Sequence, residues 1–155
     1  MASSVDRVKA ALEAHGHCGE LRRFPESTRT AEEAAAAIGC TVAQIAKSIV
    51  LRTGDRPVLV IASGVNRVDP AKVADLVGGP VKRADAGWVR EVTGFAIGGV
   101  APVGHLTQPI VLIDRSLESL EPIWAAAGSP NAVFSTGFAD LVTLSGGQVA
   151  DVKEG

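Results

Sequence analysis

Tyrosine is absent from this chain, and aromatic residues make up only 4% of it. The core must therefore be built from aliphatic side chains. The two cysteines, Cys18 and Cys40, are too few for a disulfide framework. His15, His17 and Cys18 lie close together, but no second cluster offers a fourth ligand. No structural metal is expected, and both thiols read as free. No apolar run approaches the ~20 residues of a membrane-spanning helix. The N-terminus lacks the basic and apolar regions of a signal peptide, so no membrane partner and a cytoplasmic location are expected. A net charge of −2 leaves no basic excess for strong non-specific nucleic-acid binding. No Walker sequence, dinucleotide fingerprint, HExxH helix or nucleophile elbow is present, and each absence removes an enzyme class that depends on it.

What is present is an ordinary globular composition, 46% apolar and 21% charged, in 155 residues. That length predicts a single domain over residues 1–155, able to bury about two-thirds of its unfolded surface. Charge is uneven: residues 1–90 carry 13 Lys/Arg against 10 Asp/Glu, and residues 91–155 carry two against seven. Arg22, Arg23, Arg29, Lys47, Arg52, Arg67, Lys72, Lys82 and Arg83 form either a modest basic face or a set of scattered solvated charges.

The most unusual stretch is Gly94–His105, with four glycines and one proline in twelve residues. It is too apolar for a linker. It reads as an ordered loop whose amide N–H groups line a site, or as a crowded turn at a strand junction. Around it, the spacing predicts a capped helix from Ser3 or Ser4 to His15 and a short strand over Leu21–Phe24, then a loop over Pro25–Arg29. A Thr30-capped alanine-rich helix ends at Gly39, and a one-turn helix from Thr41 carries Ile45 and Lys47. Ser48–Thr53 and Pro57–Ser63 read as a hairpin about Gly54-Asp55, followed by a helix opened by Asp69-Pro70. A possible strand over Val81–Asp85 and a short helix over Ala86–Val92 lead into the glycine loop. A buried strand over Gln108–Asp114, a hairpin about Gly128–Asn131, a helix over Phe138–Leu144 and a strand near Val149–Val152 complete the chain. Short helices among mostly hairpin-linked strands imply an α+β fold with a mixed, curled sheet.

Three stretches together resemble the YbaK family of aminoacyl-tRNA deacylases, which are related to the editing domain inserted in bacterial prolyl-tRNA synthetases. Thr30–Leu51 looks like that family's helix–lysine–strand segment. Thr93–Gly104 is similar to its glycine signature, and Ile110–Asp114, the Gly128 hairpin and Phe138–Leu141 resemble its C-terminal third. The resemblance covers roughly residues 20–150. It implies a barrel-like sheet with helices packed around it. It also implies trans-editing: hydrolysis of the ester joining a wrong amino acid to the tRNA 3′ end, with no metal or cofactor. The substrate would be a mischarged tRNA, with tRNA-Pro one candidate body and a synthetase a candidate partner. The same pattern fits an alternative, a catalytically inactive module that binds a tRNA end or a nucleotide.

The resemblance also assigns residues. Lys47 matches the family's lysine, held to grip the terminal phosphate and ribose. Backbone N–H groups of Gly98, Gly99 and Val100 can stabilise the tetrahedral oxyanion of ester hydrolysis. Phe24, Thr30, Ile45, Pro102, Gly104, His105, Gly128, Ser129, Asn131 and Val133 are the candidate substrate contacts. His105 has the pKa range of a general base, although the family does not generally need one there. The substrate's own ribose hydroxyl is held to help activate water. One departure concerns the hairpin: the cysteine-specific branch is basic and glycine-rich there, with an acid in the following strand, whereas this chain has Val133 near that position. The expected pocket, aliphatic or small and without a carboxylate, favours a small uncharged amino acid. Ser129 and Asn131 are the residues that would instead favour serine or threonine.

Overall fold

The computed structural model of the chain describes residues 3–17, 20–25 and 30–155. Cys18 and Arg29, both singled out above, lie outside these residues. The helices are α1 Ser4–Ala14, α2 Ala31–Ile38, α3 Pro70–Val77, α4 Ala86–Thr93 and α5 Phe138–Ser145. The strands in the first half are β1 Leu21–Arg23, β2 Ile45–Thr53, β3 Arg56–Ser63 and β4 Lys82–Arg83. Those in the second half are β5 Ile110–Asp114, β6 Ile123–Ala126, β7 Ala132–Thr136 and β8 Gln148–Ala150. Short 3-10 turns at Val42–Gln44 and Arg115–Ser119 complete the elements. Among the described residues, no helix is long and apolar enough to cross a membrane.

Helix boundaries follow their capping residues. Ser3 and Asp6 form a reciprocal capping box on α1, Thr30 accepts from the Glu33 N–H, and Asp69 accepts from the Ala71 N–H. Gly39, Gly78, Gly94 and Gly146 end α2 to α5 in the left-handed region that only glycine adopts cheaply. The β2–β3 turn places Gly54 at φ +60°, as a two-residue turn with glycine first requires. Removing a cap should cost about 1 kcal/mol. Asp69→Ala is therefore expected to lower Tm by about 2–4 °C for a chain of this size, read by thermal denaturation.

The sheet runs β1-β7-β6-β2-β3-β5-β8, with β4 beside β2. It is mixed and curled but open, because β1 and β8 are its edges. Beyond the two expected hairpins, β2–β6, β3–β5 and β5–β8 pair in parallel. β3 lies at the centre, and from Pro57 to Ser63 every residue is buried. Leu59 and Ile61 face a core shared with α1, α4, α5 and the glycine loop. Val58 and Val60 face the opposite way, onto α3 and Leu112. A third cluster joins Ala34 and Ala35 of α2 to Ile45, Trp124 and Val133. That cluster adjoins the site.

Candidate functional site

β2 is longer than its neighbours, and this creates the site. β6 pairs only with Ile45 and Ala46, and β4 only with Leu51 and Arg52. Among the described residues, none forms a strand beside residues 47–50 on that edge. A cleft of about 330 Å³ lies here, lined by Ile45–Ile49 of β2 and Trp124–Ala126 of β6. The first turn of α2 supplies Thr30, Ala31 and Glu32 on one side. Ile97, Gly98 and Val100 of the glycine loop and Ser129 and Pro130 of the hairpin form the other walls.

Lys47 is the third residue of β2, not the end of a helix as the spacing predicts. The preceding 3-10 turn is only three residues long and passes straight into the strand at Ile45. Cross-strand pairing with Ala62 puts Lys47 on the same face as Ile45 and Ile49. Among the described residues it makes no ion pair or hydrogen bond, so its half-buried ammonium is available to an anion. Next to it, the Ser48 hydroxyl oxygen is buried with no hydrogen-bond partner among the described residues. A buried hydroxyl without a partner in a cleft wall is a ready contact for a ligand. No sequence signal marks Ser48, because serine in a strand is common.

In the glycine loop, Ile97 and Gly98 are the central residues of a turn closed by Gly99 N–H to Ala96 C=O at 2.9 Å. Gly98 has φ +93°, the value that the third residue of a type II turn needs. This corrects one expectation. The Gly99 amide is spent inside the turn, so it cannot also serve an oxyanion. The N–H groups of Gly98 and Val100 meet no acceptor among the described residues and remain open. Gly99 has a different task. A Cβ there would stand 2.7–2.9 Å from the Ser129 backbone, so only glycine lets the loop and hairpin touch.

Of the other candidate contacts, Thr30, Ile45, Ser129 and Val133 line the cleft, and the rest do not. Phe24 packs behind the third core cluster, and its backbone binds Asn131 in both directions: N–H to Asn131 C=O at 2.8 Å, and C=O from Asn131 Nδ2 at 3.2 Å. The Ser129 hydroxyl donates to Asn131 Oδ1 at 2.5 Å, so these two side chains satisfy one another. Gly128 and Gly104 are turned toward α1, and Pro102 is buried in the loop. His105 stacks edge-on against Phe95 at 5.2 Å, with Nε2 2.6 Å from the Ala101 carbonyl. Burial pushes its pKa down, which holds a neutral imidazole near pH 7 with Nε2–H as donor. Its other nitrogen is buried without a partner among the described residues. It stands apart from the cleft, in no position to take a proton from water there.

Two features of the charge distribution bear on the sequence reading, the first as a correction and the second as a choice between its two alternatives. Glu32 places an exposed carboxylate at the cleft rim, where the expected lining had none. Arg22, Arg52 and Lys72 do not form a free basic face. Arg22 lies 4.9 Å from the centre of the Trp124 ring and pairs with Glu20, Arg52 lies 4.3 Å from that of Trp88, and Lys72 pairs with Asp151.

The family model for the aminoacyl-tRNA editing domain matches residues 25–144. The chain is 35% identical over 114 residues to the uncharacterised protein YwhH of Bacillus subtilis, covering 73% of each. It is 29% identical over 133 residues to the proline–tRNA ligase of Bacillus licheniformis, covering 83% of this chain but 23% of that enzyme. A crystal structure of a proposed trans-editing enzyme for prolyl-tRNA synthetase superposes with TM-score 0.93 at 46% identity, covering 100% of this chain and 99% of the other.

Proposed function

Because this chain belongs to the aminoacyl-tRNA editing domain family, we propose that it is a trans-editing hydrolase that removes a small amino acid from mischarged tRNA. The observation that carries this reading is one juxtaposition. A lysine without a partner among the described residues, on one side of an apolar cleft, is joined by two backbone N–H groups on another wall that are likewise open among those residues. Lys47 takes a phosphate or ribose oxygen of the tRNA 3′ end through a charge-assisted contact. Water adds to the ester carbonyl carbon, and Gly98 and Val100 N–H groups stabilise the oxyanion that forms. The carbon–oxygen bond to the ribose then breaks, and the departing ribose oxygen takes up the proton that water gives up. The substrate's neighbouring ribose hydroxyl assists that transfer, so no side-chain base is required in the cleft.

Substrate choice follows from the walls. Ile45, Val100, Trp124 and Val133 are apolar, and the hairpin's polar groups are consumed by their own pairing. Alanine and slightly larger uncharged residues fit best, and neighbours leak through because one methylene is worth only about 1–3 kcal/mol. The name of the similar crystal structure makes tRNA-Pro the first tRNA to try and a prolyl-tRNA synthetase the first partner. The test is to charge one tRNA in turn with alanine, cysteine, serine and threonine and to measure release. Alanine is expected to leave faster than serine or threonine. A preference for serine or threonine of more than about tenfold would show that polar groups set specificity. No release from any of the four overturns the reading.

A further inference from the structure

Helix α1 lies outside the matched family region, yet it holds both walls of the cleft. Arg7 reaches the two ends of the glycine loop. Its Nε donates to Gly104 C=O at 2.7 Å, and one terminal nitrogen donates to Gly94 C=O at 3.0 Å and to Thr93 C=O at 3.3 Å. The guanidinium also lies 4.5 Å from the centre of the Phe95 ring, inside the same loop. One turn earlier, the Ser4 hydroxyl donates to Gly128 C=O at 2.6 Å, at the start of the hairpin turn. Gly128 has φ +99°, and a Cβ there would stand 2.6 Å from the Ser4 carbonyl oxygen, so hairpin and helix are in close contact.

We propose that Arg7 and Ser4 are positioning residues that make α1 a clamp, fixing the distance between the Gly98 and Val100 amides and the Ser129-Pro130 wall. The geometry favours this over simple fold support. Two of the four bonds end on the loop that carries the oxyanion donors, a third on Thr93 immediately before it, and the fourth on the hairpin that touches that loop. A planar guanidinium with several fixed donors ties three carbonyls in one geometry, which a flexible chain end cannot do. Catalysis by preorganised amides is sensitive to such spacing, and a displacement of about 1 Å can cost about 100-fold.

The consequence for turnover rests on the deacylase reading, so the experiment has two independent arms. In the first, Arg7→Met, Arg7→Lys and Ser4→Ala are assayed for amino-acid release well below their melting temperatures. Arg7→Met is expected to lower kcat by about 10- to 100-fold while KM moves less than about threefold. Arg7→Lys should recover part of that loss, and Ser4→Ala should show a smaller fall. In the second, 15N relaxation is measured on the free proteins. Arg7→Met should raise the mobility of residues 96–100, and Ser4→Ala that of residues 128–131, with the sheet unchanged. A folded Arg7→Met protein with wild-type kcat, or with the loop as rigid as before, overturns the clamp. An inactive wild-type protein overturns the deacylase reading alone, because the relaxation arm still decides whether the clamp exists.

Discussion

Lys47→Ala is expected to lower kcat/KM for deacylation by about 10- to 100-fold while leaving the circular dichroism spectrum and Tm unchanged. The magnitude comes from losing one charge-assisted contact, worth about 1.5–3 kcal/mol, with each 1.36 kcal/mol a factor of ten in rate. The neutrality toward folding comes from the structure. Lys47 has no ion-pair or hydrogen-bond partner among the described residues, and its backbone pairing with Ala62 survives any side chain. Lys47→Arg keeps the charge but brings a planar, longer head, so partial activity is expected. Measuring release at sub-saturating substrate decides the matter. A Lys47→Ala protein within about threefold of wild type would remove this lysine from the proposed site.

The second large effect is expected from adding one methyl group. Gly99→Ala places a Cβ 2.7 Å from Ser129 Cα, 2.8 Å from its carbonyl carbon and 2.9 Å from its nitrogen. These are backbone atoms, so no rotamer change relieves the clash, and loop and hairpin must move apart. Overpacking of this kind costs about 1–3 kcal/mol. At about 2–4 °C per kcal/mol, Tm should fall by roughly 2–12 °C. The loss of activity should be larger, about 100-fold or more in kcat, because the turn that aims the Gly98 and Val100 amides is displaced. Gly98→Ala makes a useful contrast. Its Cβ would find only Pro130 at 3.7–3.8 Å, so its cost arises from the positive φ rather than from contact. Gly99→Ala retaining wild-type kcat would show that the two walls need not touch for catalysis.

Much of this arrangement is legible in the residues. Ser3, Thr30, Asp69 and the helix-ending glycines mark all five helices, because capping chemistry acts within one turn of chain. Gly54-Asp55 and the Gly128–Asn131 segment mark the hairpins β2–β3 and β6–β7 for the same local reason. The glycine loop is visible as a stretch too apolar and too glycine-rich to be a linker. Lys47 is found through resemblance alone, and its place within β2 is missed because the Ile45/Lys47/Ile49 alternation starts inside what reads as a helical turn.

The sequence by itself determined the class of fold, the element order, the family resemblance and the stretch that carries the amides, since each rests on neighbours along the chain. Only the tertiary structure decided how the elements meet. Parallel pairing of β2 with β6 joins Ile45 to Trp124, far apart in sequence, and the shortness of that pairing opens the gap that becomes the cleft. Which loop amides stay free depends on the turn closing onto Ala96, which a glycine count does not reveal. The removal of His105 from the cleft and the self-pairing of Ser129 with Asn131 are likewise set by the folded surroundings, and the reach of Arg7 to the carbonyls of Thr93, Gly94 and Gly104 is long-range. The physical reason is common to all of them. A backbone's conformational preferences act over a few residues, whereas the burial, partners and freedom of a polar group are set by whatever the folded chain brings beside it.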